Sequence, residues 1–309
     1  MILTSRSVRA TRPASFHRGR RLYPTVSSDS IANWVLTNDS VSFRFISDPS
    51  SGLRLYSWQA EGGNTVINQS KNLWSLGMIN DYLVNIDRGL RSTNSYVVYP
   101  SVRNFIGPSQ IPVTIAGGKQ FTFTWSNVKY DYKKPSYTCT VILVAKLLDN
   151  SSALDLSLSV RANQAYTASD LLPFNTSVLS YLGYPKITIK KDDDENINKE
   201  SVLGSPVTMG FTYRNPFKYL RYPRYVGESF HYLQEGTRSV SAGQPGYPGT
   251  RLNKFTYGAP GGMGIPAILL GNRGNKNGTL MYAMDVDGNN AKSFQFYFDD
   301  SNFHLNAAH

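Results

Sequence analysis

The sequence predicts an all-β protein, built as a large antiparallel β-sandwich with little helix. Three observations lead to this prediction. From Ser30 onward, apolar and polar residues alternate over many short segments, which is the period of a half-buried strand. Glycine, proline, asparagine and aspartate separate these segments, as turns require. No segment of the sequence carries a sustained apolar stripe at helical spacing, so we expect helices to be few and short.

The predicted strands follow one another closely along the chain. They cover residues 41–46, 53–58, 120–125, 137–148, 154–160, 186–190, 279–284 and 293–298. Asp149 and Asn150 separate two strong strands and predict a hairpin, and Gly117-Gly118 predicts another tight connection. Strands at this short spacing favour antiparallel sheets that stack face to face.

Composition limits the classes of site that the chain can hold. A chain of 309 residues, 40% hydrophobic and 13% aromatic, can bury a sizeable core. Its one cysteine, Cys139, excludes an intramolecular disulfide framework and a cysteine-based zinc site. The four histidines are scattered, so we expect no metal site and no cofactor. No apolar run reaches the roughly 20 residues that a membrane-spanning helix needs.

The first 29 residues differ in charge from the rest. Residues 1–28 contain no acidic residue, and their six arginines account for six of the net charge of +11, which leaves +5 for the remainder. These arginines are Arg6, Arg9, Arg12, Arg18, Arg20 and Arg21. The segment has no hydrophobic period with which to bury its own surface. The sequence therefore predicts a basic flexible arm over residues 1–29, followed by one large β-sandwich domain over residues 30–309.

The arm has several interpretations. A secretory signal needs an apolar stretch of about 7–15 residues, and the arm has none. An organelle transit peptide is rich in arginine and serine and poor in acids, and the arm fits that composition. An assembly arm that orders on another subunit or on nucleic acid phosphates fits as well, as does a solvated tail without a role. The compartment stays open, with a virion among the alternatives.

Two segments are less regular than the strands. Residues 191–201 predict a charged surface loop, in which Asp192, Asp193, Asp194 and Glu195 are solvated and do not form a catalytic pair. Residues 213–266 are rich in tyrosine, proline, glycine and arginine and predict long ordered loops, a common place for binding on a rigid β scaffold. We predict no catalytic residue.

Aromatic and arginine residues are concentrated at the start of the second segment. Aromatic faces stack on sugar rings, on bases and on guanidinium groups, and arginine and asparagine add directional hydrogen bonds. This chemistry suits a glycan, single-stranded nucleic acid or a protein interface, and also a loop packed on its own sheet. The candidate residues are Tyr213, Arg214, Asn215, Tyr219, Arg221, Tyr222, Arg224 and Tyr225.

The order of several short segments resembles a known family. These segments are a strand with a glycine turn at 48–55, a Leu-Trp strand at 72–76, an aromatic-Trp strand at 123–125, a hairpin at 150–154, a Tyr-Pro strand at 182–187, a Gly-to-Asn-Pro segment at 210–216 and a strand with an aspartate turn at 280–285. Over roughly residues 35–300 the chain is similar to the galactose-mutarotase-like β-super-sandwich that opens a group of large glycoside hydrolases.

The resemblance implies a fold and contact with sugars, but not catalysis. In those enzymes a catalytic (β/α)₈ barrel follows the sandwich, and the 309 residues hold no counterpart of it. The mutarotases use a histidine and a glutamate, and neither can be matched to a position of this sequence. Fold alone does not decide function.

Three functions follow from these observations. The first is a non-enzymatic structural or attachment protein of a larger assembly, such as a virion tail, fibre or capsid-associated subunit, with other subunits as partners in a homo-oligomer. The second is a carbohydrate-binding or accessory domain of a carbohydrate-active enzyme system. The third is a capsid-type protein that contacts nucleic acid through the arginine-rich arm, with an affinity that falls steeply as salt rises.

Overall fold

The protein folds as an all-β sandwich of antiparallel sheets with very little helix, as the sequence predicts. The computed structural model describes residues 2–5, 33–85, 89–131, 134, 136–165, 178–205, 211–219, 224–227, 267–272, 277–282 and 293–308. The strands in these residues form three sheets, and each pairing between them is antiparallel.

The largest sheet has ten strands. In chain order they are β1 (Ile2–Ser5), β8 (Phe105–Ile106), β9 (Val113–Ile115), β10 (Gly118–Lys129), β11 (Thr138–Leu148), β12 (Ala153–Ala162), β15 (Ser201–Ser205), β16 (Phe211–Arg214), β18 (Ala267–Asn272) and β19 (Asn277–Tyr282). Across the sheet the order is β16-β15-β18-β19-β1-β12-β11-β10-β8, and β9 also pairs with β10. The first strand of the chain, β1, therefore lies in the same sheet as the much later strands β18 and β19.

The second and third sheets have seven and four strands. The seven are β6 (Ser75–Asn85), β7 (Gly89–Val98), β13 (Val178–Gly183), β14 (Ile187–Lys190), β17 (Arg224–Gly227), β20 (Ser293–Phe298) and β21 (Asn302–Ala308). Their order is β17-β20-β21-β13-β6-β7, with β14 also on β21. The four are β2 (Asn33–Thr37), β3 (Val41–Ile46), β4 (Arg54–Ala60) and β5 (Val66–Ile67), in chain order across the sheet.

Helices are short in the described part of the chain. They are a 3₁₀ turn at Val102–Asn104, α1 (Glu195–Lys199) and α2 (Pro216–Tyr219). The predicted charged loop 191–201 contains α1, and Asp192, Asp193, Asp194 and Glu195 are exposed, as expected. Within the described ranges, no helix is both long enough and apolar enough to cross a membrane.

Several strands lie where the sequence predicts them. The predicted strands 41–46 and 293–298 match β3 and β20 residue for residue. The predicted hairpin at Asp149-Asn150 joins β11 to β12. The predicted connection at Gly117 joins β9 to β10, and the positive φ of 69° at this glycine explains why a residue without a Cβ stands there.

One hydrophobic core contains buried side chains from all three sheets. Phe123 of β10 contacts Phe45 of β3 with ring centroids 5.2 Å apart, which joins the ten-stranded sheet to the four-stranded one. Trp125 of β10 meets Trp74, immediately before β6, edge to face at 5.6 Å. Aromatic pairs at these distances add about 0.5–1.5 kcal/mol each beyond the area they bury. The aromatic residues at this point therefore hold the sheets in their relative positions.

Candidate assembly site

The strand at the start of the sequence occupies a slot between two other strands. Ile2–Ser5 (β1) pairs with β12 on one side and with β19 on the other. The backbone of Leu3 lies opposite Leu154 on β12 and opposite Met281 on β19. In the described part of the sheet, β12 and β19 are connected only through β1. This strand therefore joins the two halves of the ten-stranded sheet.

A slot of this kind recognises the backbone of an extended segment. Without β1, both β12 and β19 would present a row of unpaired N–H and C=O groups, which is the property of a sheet edge. A segment that adds as a strand satisfies these groups through main-chain hydrogen bonds. The equivalent segment of a second copy has the same backbone as β1 of the same chain.

Two ionisable side chains lie at the first position of the slot. Ile2 is opposite Asp155 on β12 and Tyr282 on β19. Burial raises the pKa of Asp155, and the charge of Lys146, which is opposite Asp155 on β11, acts against this. Burial and the negative charge of Asp155 together raise the pKa of Tyr282.

The predicted arm is described only over β1. Its six arginines lie outside the described residues; they are Arg6, Arg9, Arg12, Arg18, Arg20 and Arg21. Between Ser5 and Asn33 the sequence has 27 residues, so a long stretch of chain separates β1 from β2. The two strands lie in different sheets.

The predicted aromatic and arginine segment runs between the edges of two sheets. Tyr213 and Arg214 end β16, at one edge of the ten-stranded sheet, and Arg224 and Tyr225 begin β17, at one edge of the seven-stranded sheet. Between these strands lies α2, which ends at Tyr219.

Two contacts fix the position of α2 and of Asn215, the residue before it. The ring of Phe217 in α2 packs on that of Phe298 in β20, with centroids 4.8 Å apart. Asn215 has a φ of 49° and its N–H donates to the carbonyl of Ser201 at 2.9 Å. Arg214 is exposed and Asn215 is half-buried. Arg221 and Tyr222 lie outside the described residues, so the segment remains a predicted binding region.

A hydroxyl, an imidazole and a carboxylate form one chain of hydrogen bonds in the seven-stranded sheet. Thr188 Oγ1 and His304 Nδ1 are 3.2 Å apart, and His304 Nε2 is 2.7 Å from Asp299 Oδ2. These are the group types of a nucleophile, its base and the acid that orients the base. Sequence inspection missed the arrangement because Thr188 is 116 residues from His304 along the chain.

The surroundings of these three hydrogen-bonded side chains favour a structural role over a catalytic one. Thr188 is only 7% exposed and lies directly opposite His304 in the β14–β21 ladder, so a substrate has no access to its hydroxyl. Burial raises the pKa of Asp299, but hydrogen bonds from His304, Ser301 and Asn302 outweigh burial and lower it overall. The ionised carboxylate thus holds the imidazole, which in turn ties β21 to β14.

The described residues contain no group of three or more histidine, cysteine, aspartate or glutamate side chains that is placed to hold a metal ion. The thiol of Cys139 is buried, and burial raises its pKa to about 12, so it is not an activated nucleophile.

Comparison of the chain with protein-family models, with curated proteins and with solved structures found no match.

Proposed function

We propose that this protein is a non-enzymatic structural or attachment subunit of a larger assembly, of the kind that forms a virion tail, fibre or capsid-associated layer. The observation that carries the proposal is the insertion of β1 between β12 and β19. Through this strand, a segment at the start of the sequence completes a sheet whose other strands come from the body of the protein. Exchange of such a segment between identical subunits is a low-cost route to an oligomer.

The length of the connection permits this exchange. The 27 residues between Ser5 and Asn33 span at most about 97 Å when extended. A compact domain of this size has a diameter of about 50 Å. The connection is therefore long enough for β1 of one copy to fill the slot of a neighbouring copy. The six arginines in the connection would then lie between subunits, where acidic groups of a neighbour or of nucleic acid can pair with them.

A second surface supports contact between subunits. The short strands β8 and β9 form an edge of the ten-stranded sheet next to β10. Three apolar side chains near this edge are well exposed: Ile106 at 56%, Ile111 at 76% and Val113 at 62%. An exposed apolar edge strand tends to pair with another chain. This surface suits lateral contact after strand exchange has brought two copies together.

The test is the mass in solution, measured by light scattering at low and at high salt. We would compare the full chain with a variant that lacks residues 1–28 and with Leu3→Pro. Proline has no N–H to donate to the ladder, whereas the matched control Leu3→Ala keeps this donor. We expect a defined oligomer for the full chain and for Leu3→Ala at both salt concentrations, and a smaller species for the other two variants.

Two outcomes would contradict this proposal. If the full chain and the truncated chain were both monomers over a wide range of concentration, β1 would serve only its own molecule. If the oligomer formed but dissolved at high salt and was unaffected by Leu3→Pro, the arginines rather than the strand would hold it together. A variant with all six arm arginines changed to serine separates these effects, because it keeps β1 and loses the charge.

A further inference from the structure

Two arginines and one tyrosine project from the outer face of the four-stranded sheet. In β3, Phe43 and Phe45 are buried while Arg44 between them is half-buried on the opposite face. In β4, Arg54 and Tyr56 flank the buried Leu55 in the same way. Alternation along each strand therefore puts all three polar side chains on the face that is turned away from the core.

A β-bulge brings the three side chains together. Arg44 is paired with Ser57 and Phe45 with Leu55, so the ladder passes over Tyr56 as an extra residue. The guanidinium carbon of Arg54 is 5.0 Å from the centroid of the Tyr56 ring, and that of Arg44 is 5.6 Å from the same centroid. Both cations thus lie within cation–π distance of a single ring.

The neighbouring groups leave part of each guanidinium available. Arg44 Nε donates to Asn33 Oδ1 at 3.0 Å, which fixes the direction of the arginine and leaves its terminal nitrogens for another acceptor. Arg54 Nε is buried and has no hydrogen-bond partner among the described residues; Asp48 Oδ2 is 3.9 Å away. The side chain of Arg54 is 20% exposed.

Positive charge is in excess at this cluster. Asp48 is the one carboxylate among the described residues within 4 Å of Arg54, and it is 3.7 Å from Lys71 as well. It also accepts hydrogen bonds from the hydroxyl and N–H of Ser50 and from the N–H of Ser51. Burial raises the pKa of Asp48, but these hydrogen bonds together with Lys71 lower it overall, so it is ionised.

With Arg44 added, the cluster has three cations, and Asp48 is paired with two of them, Arg54 and Lys71. Two guanidinium groups beside one ring repel each other unless an anion lies between them. Their planar forks fit the oxygen atoms of carboxylate, sulfate and phosphate in bidentate geometry. We propose that Arg44 and Arg54 bind a single oxyanion group over Tyr56, on the outer face of the four-stranded sheet.

The surroundings favour one anionic group over a polyanion. The outward strand positions next to Arg44 are neutral: Val35 and Thr37 on β2 and Ser42 on β3. Lys71, beside Asp48, is a single further cation and not part of these strands. A nucleic acid backbone presents a phosphate at every nucleotide and needs a track of positive charge, which these positions do not supply. The ligand chemistry is therefore one carboxylate, sulfate or phosphate, carried by an acidic sugar or present as the free ion.

The experiment titrates the full-length protein with sodium sulfate, sodium phosphate and sodium glucuronate at constant ionic strength, balanced with chloride. Binding is followed by calorimetry and by the NMR signals of the arginine Nε–H groups. We expect saturable binding of at least one oxyanion, with a shift of the Arg44 and Arg54 signals. Arg44→Gln or Arg54→Gln should weaken binding by about ten- to a hundredfold, the effect of losing a charge-assisted hydrogen bond.

Matched controls keep the result interpretable. Arg161 is exposed on β12 in another sheet, so Arg161→Gln should bind like the unchanged protein. Arg44→Lys keeps the charge and loses the fork, and should bind more weakly than the unchanged protein. Glucuronate binding that is tighter than sulfate and phosphate binding would identify an acidic sugar as the source, and the reverse order would identify the free ion.

Sulfate also stabilises proteins without binding, by exclusion from their surface. A response that is equal in the unchanged protein, in Arg44→Gln and in Arg54→Gln would therefore overturn the proposal. Circular dichroism confirms that each variant is folded before it is titrated.

Discussion

Trp58 and Trp74 are equally buried, but the hydrogen bonding of their indole N–H groups differs. Trp58 Nε1 donates to Thr279 Oγ1 at 3.2 Å, which links the four-stranded sheet to the ten-stranded one. Trp74 Nε1 is buried without a hydrogen-bond partner in the described part of the chain. Both side chains are at most 1% exposed. The same substitution, tryptophan to phenylalanine, therefore isolates the contribution of one buried hydrogen bond.

The expected difference follows from the two environments. Both variants lose a similar volume of buried side chain and pay a similar cost for the cavity. Trp58→Phe also removes a hydrogen bond, a net loss of about 1 kcal/mol, whereas Trp74→Phe removes an unsatisfied donor and recovers about 1–3 kcal/mol. Trp58→Phe should therefore be less stable than Trp74→Phe by about 2–4 kcal/mol. For a chain of this size, that difference is a gap of roughly 3–6 °C in Tm.

The assay is urea unfolding followed by far-ultraviolet circular dichroism, which reports mainly on the backbone of the strands. Thr279→Val serves as the partner substitution, because in its background Trp58→Phe has no hydrogen bond left to remove. A double-mutant cycle then gives the coupling between the two side chains. If Trp74→Phe proved as destabilising as Trp58→Phe, the hydrogen-bond argument would be refuted.

Four further predictions concern single sites. Hydrogen bonds hold the pKa of Asp299 below its ordinary value, so its contribution to stability is present above about pH 4 and is lost as the pH falls through the folded pKa. Asp299→Asn should accordingly flatten the dependence of the urea midpoint on acid pH. Cys139, whose pKa burial raises to about 12, should react with a thiol reagent slowly in the native protein and rapidly in urea. A methyl group at Gly118 would collide with the backbone of β11, so Gly118→Ala should cost about 1–3 kcal/mol in the free energy of unfolding. If the aromatic segment binds glycans, Tyr219→Ala and Tyr222→Ala should abolish the signal on a glycan array.

Three of these predictions have a control variant within the chain. Asp39 is exposed, so Asp39→Asn should leave the acid dependence unchanged. A methyl group at Gly278 would lie 3.7 Å from the nearest atom, which is an ordinary van der Waals distance, so Gly278→Ala should be tolerated. Tyr99 is 39% exposed and outside the predicted segment, and Tyr99→Ala should leave the glycan array unchanged. An equal loss of signal in Tyr99→Ala would mean that the tyrosines act through the fold.

Strands with a strong alternation could be predicted from the sequence, and weaker ones could not. In β11 every second residue is buried, so the pattern is visible without the structure. In β7 the residues from Arg91 to Ser95 are polar, and the long hairpin with β6 supplies the pairing that the pattern does not indicate. Ile2–Ser5 is too short to show a period, which is why the sequence assigns it to the arm although its backbone pairs on both sides in the sheet.

The candidate sites also combine features that the sequence predicts with features that it does not. Arg44, Arg54 and Tyr56 are near one another in the sequence, but a bulge that depends on the pairing of β3 with β4 decides that they share one cluster. The exposure of the acidic loop at 191–201 could be predicted, because it follows from local composition alone. The placement of Tyr213 and Tyr225 in different sheets could not, because it depends on strands that are distant along the chain.

The sequence by itself determined the class of fold, the basic character of the arm and most of the strongly alternating strands. These properties depend on residues that are neighbours along the chain, and the physical chemistry of alternation and turns acts at that range. Only the tertiary structure decided which strands pair. Backbone N–H and C=O groups are the same for nearly every residue type, so many different strands could satisfy the hydrogen bonds of a given strand. The burial of a shared core selects one arrangement, and in it β1 lies between strands more than 140 residues away along the chain.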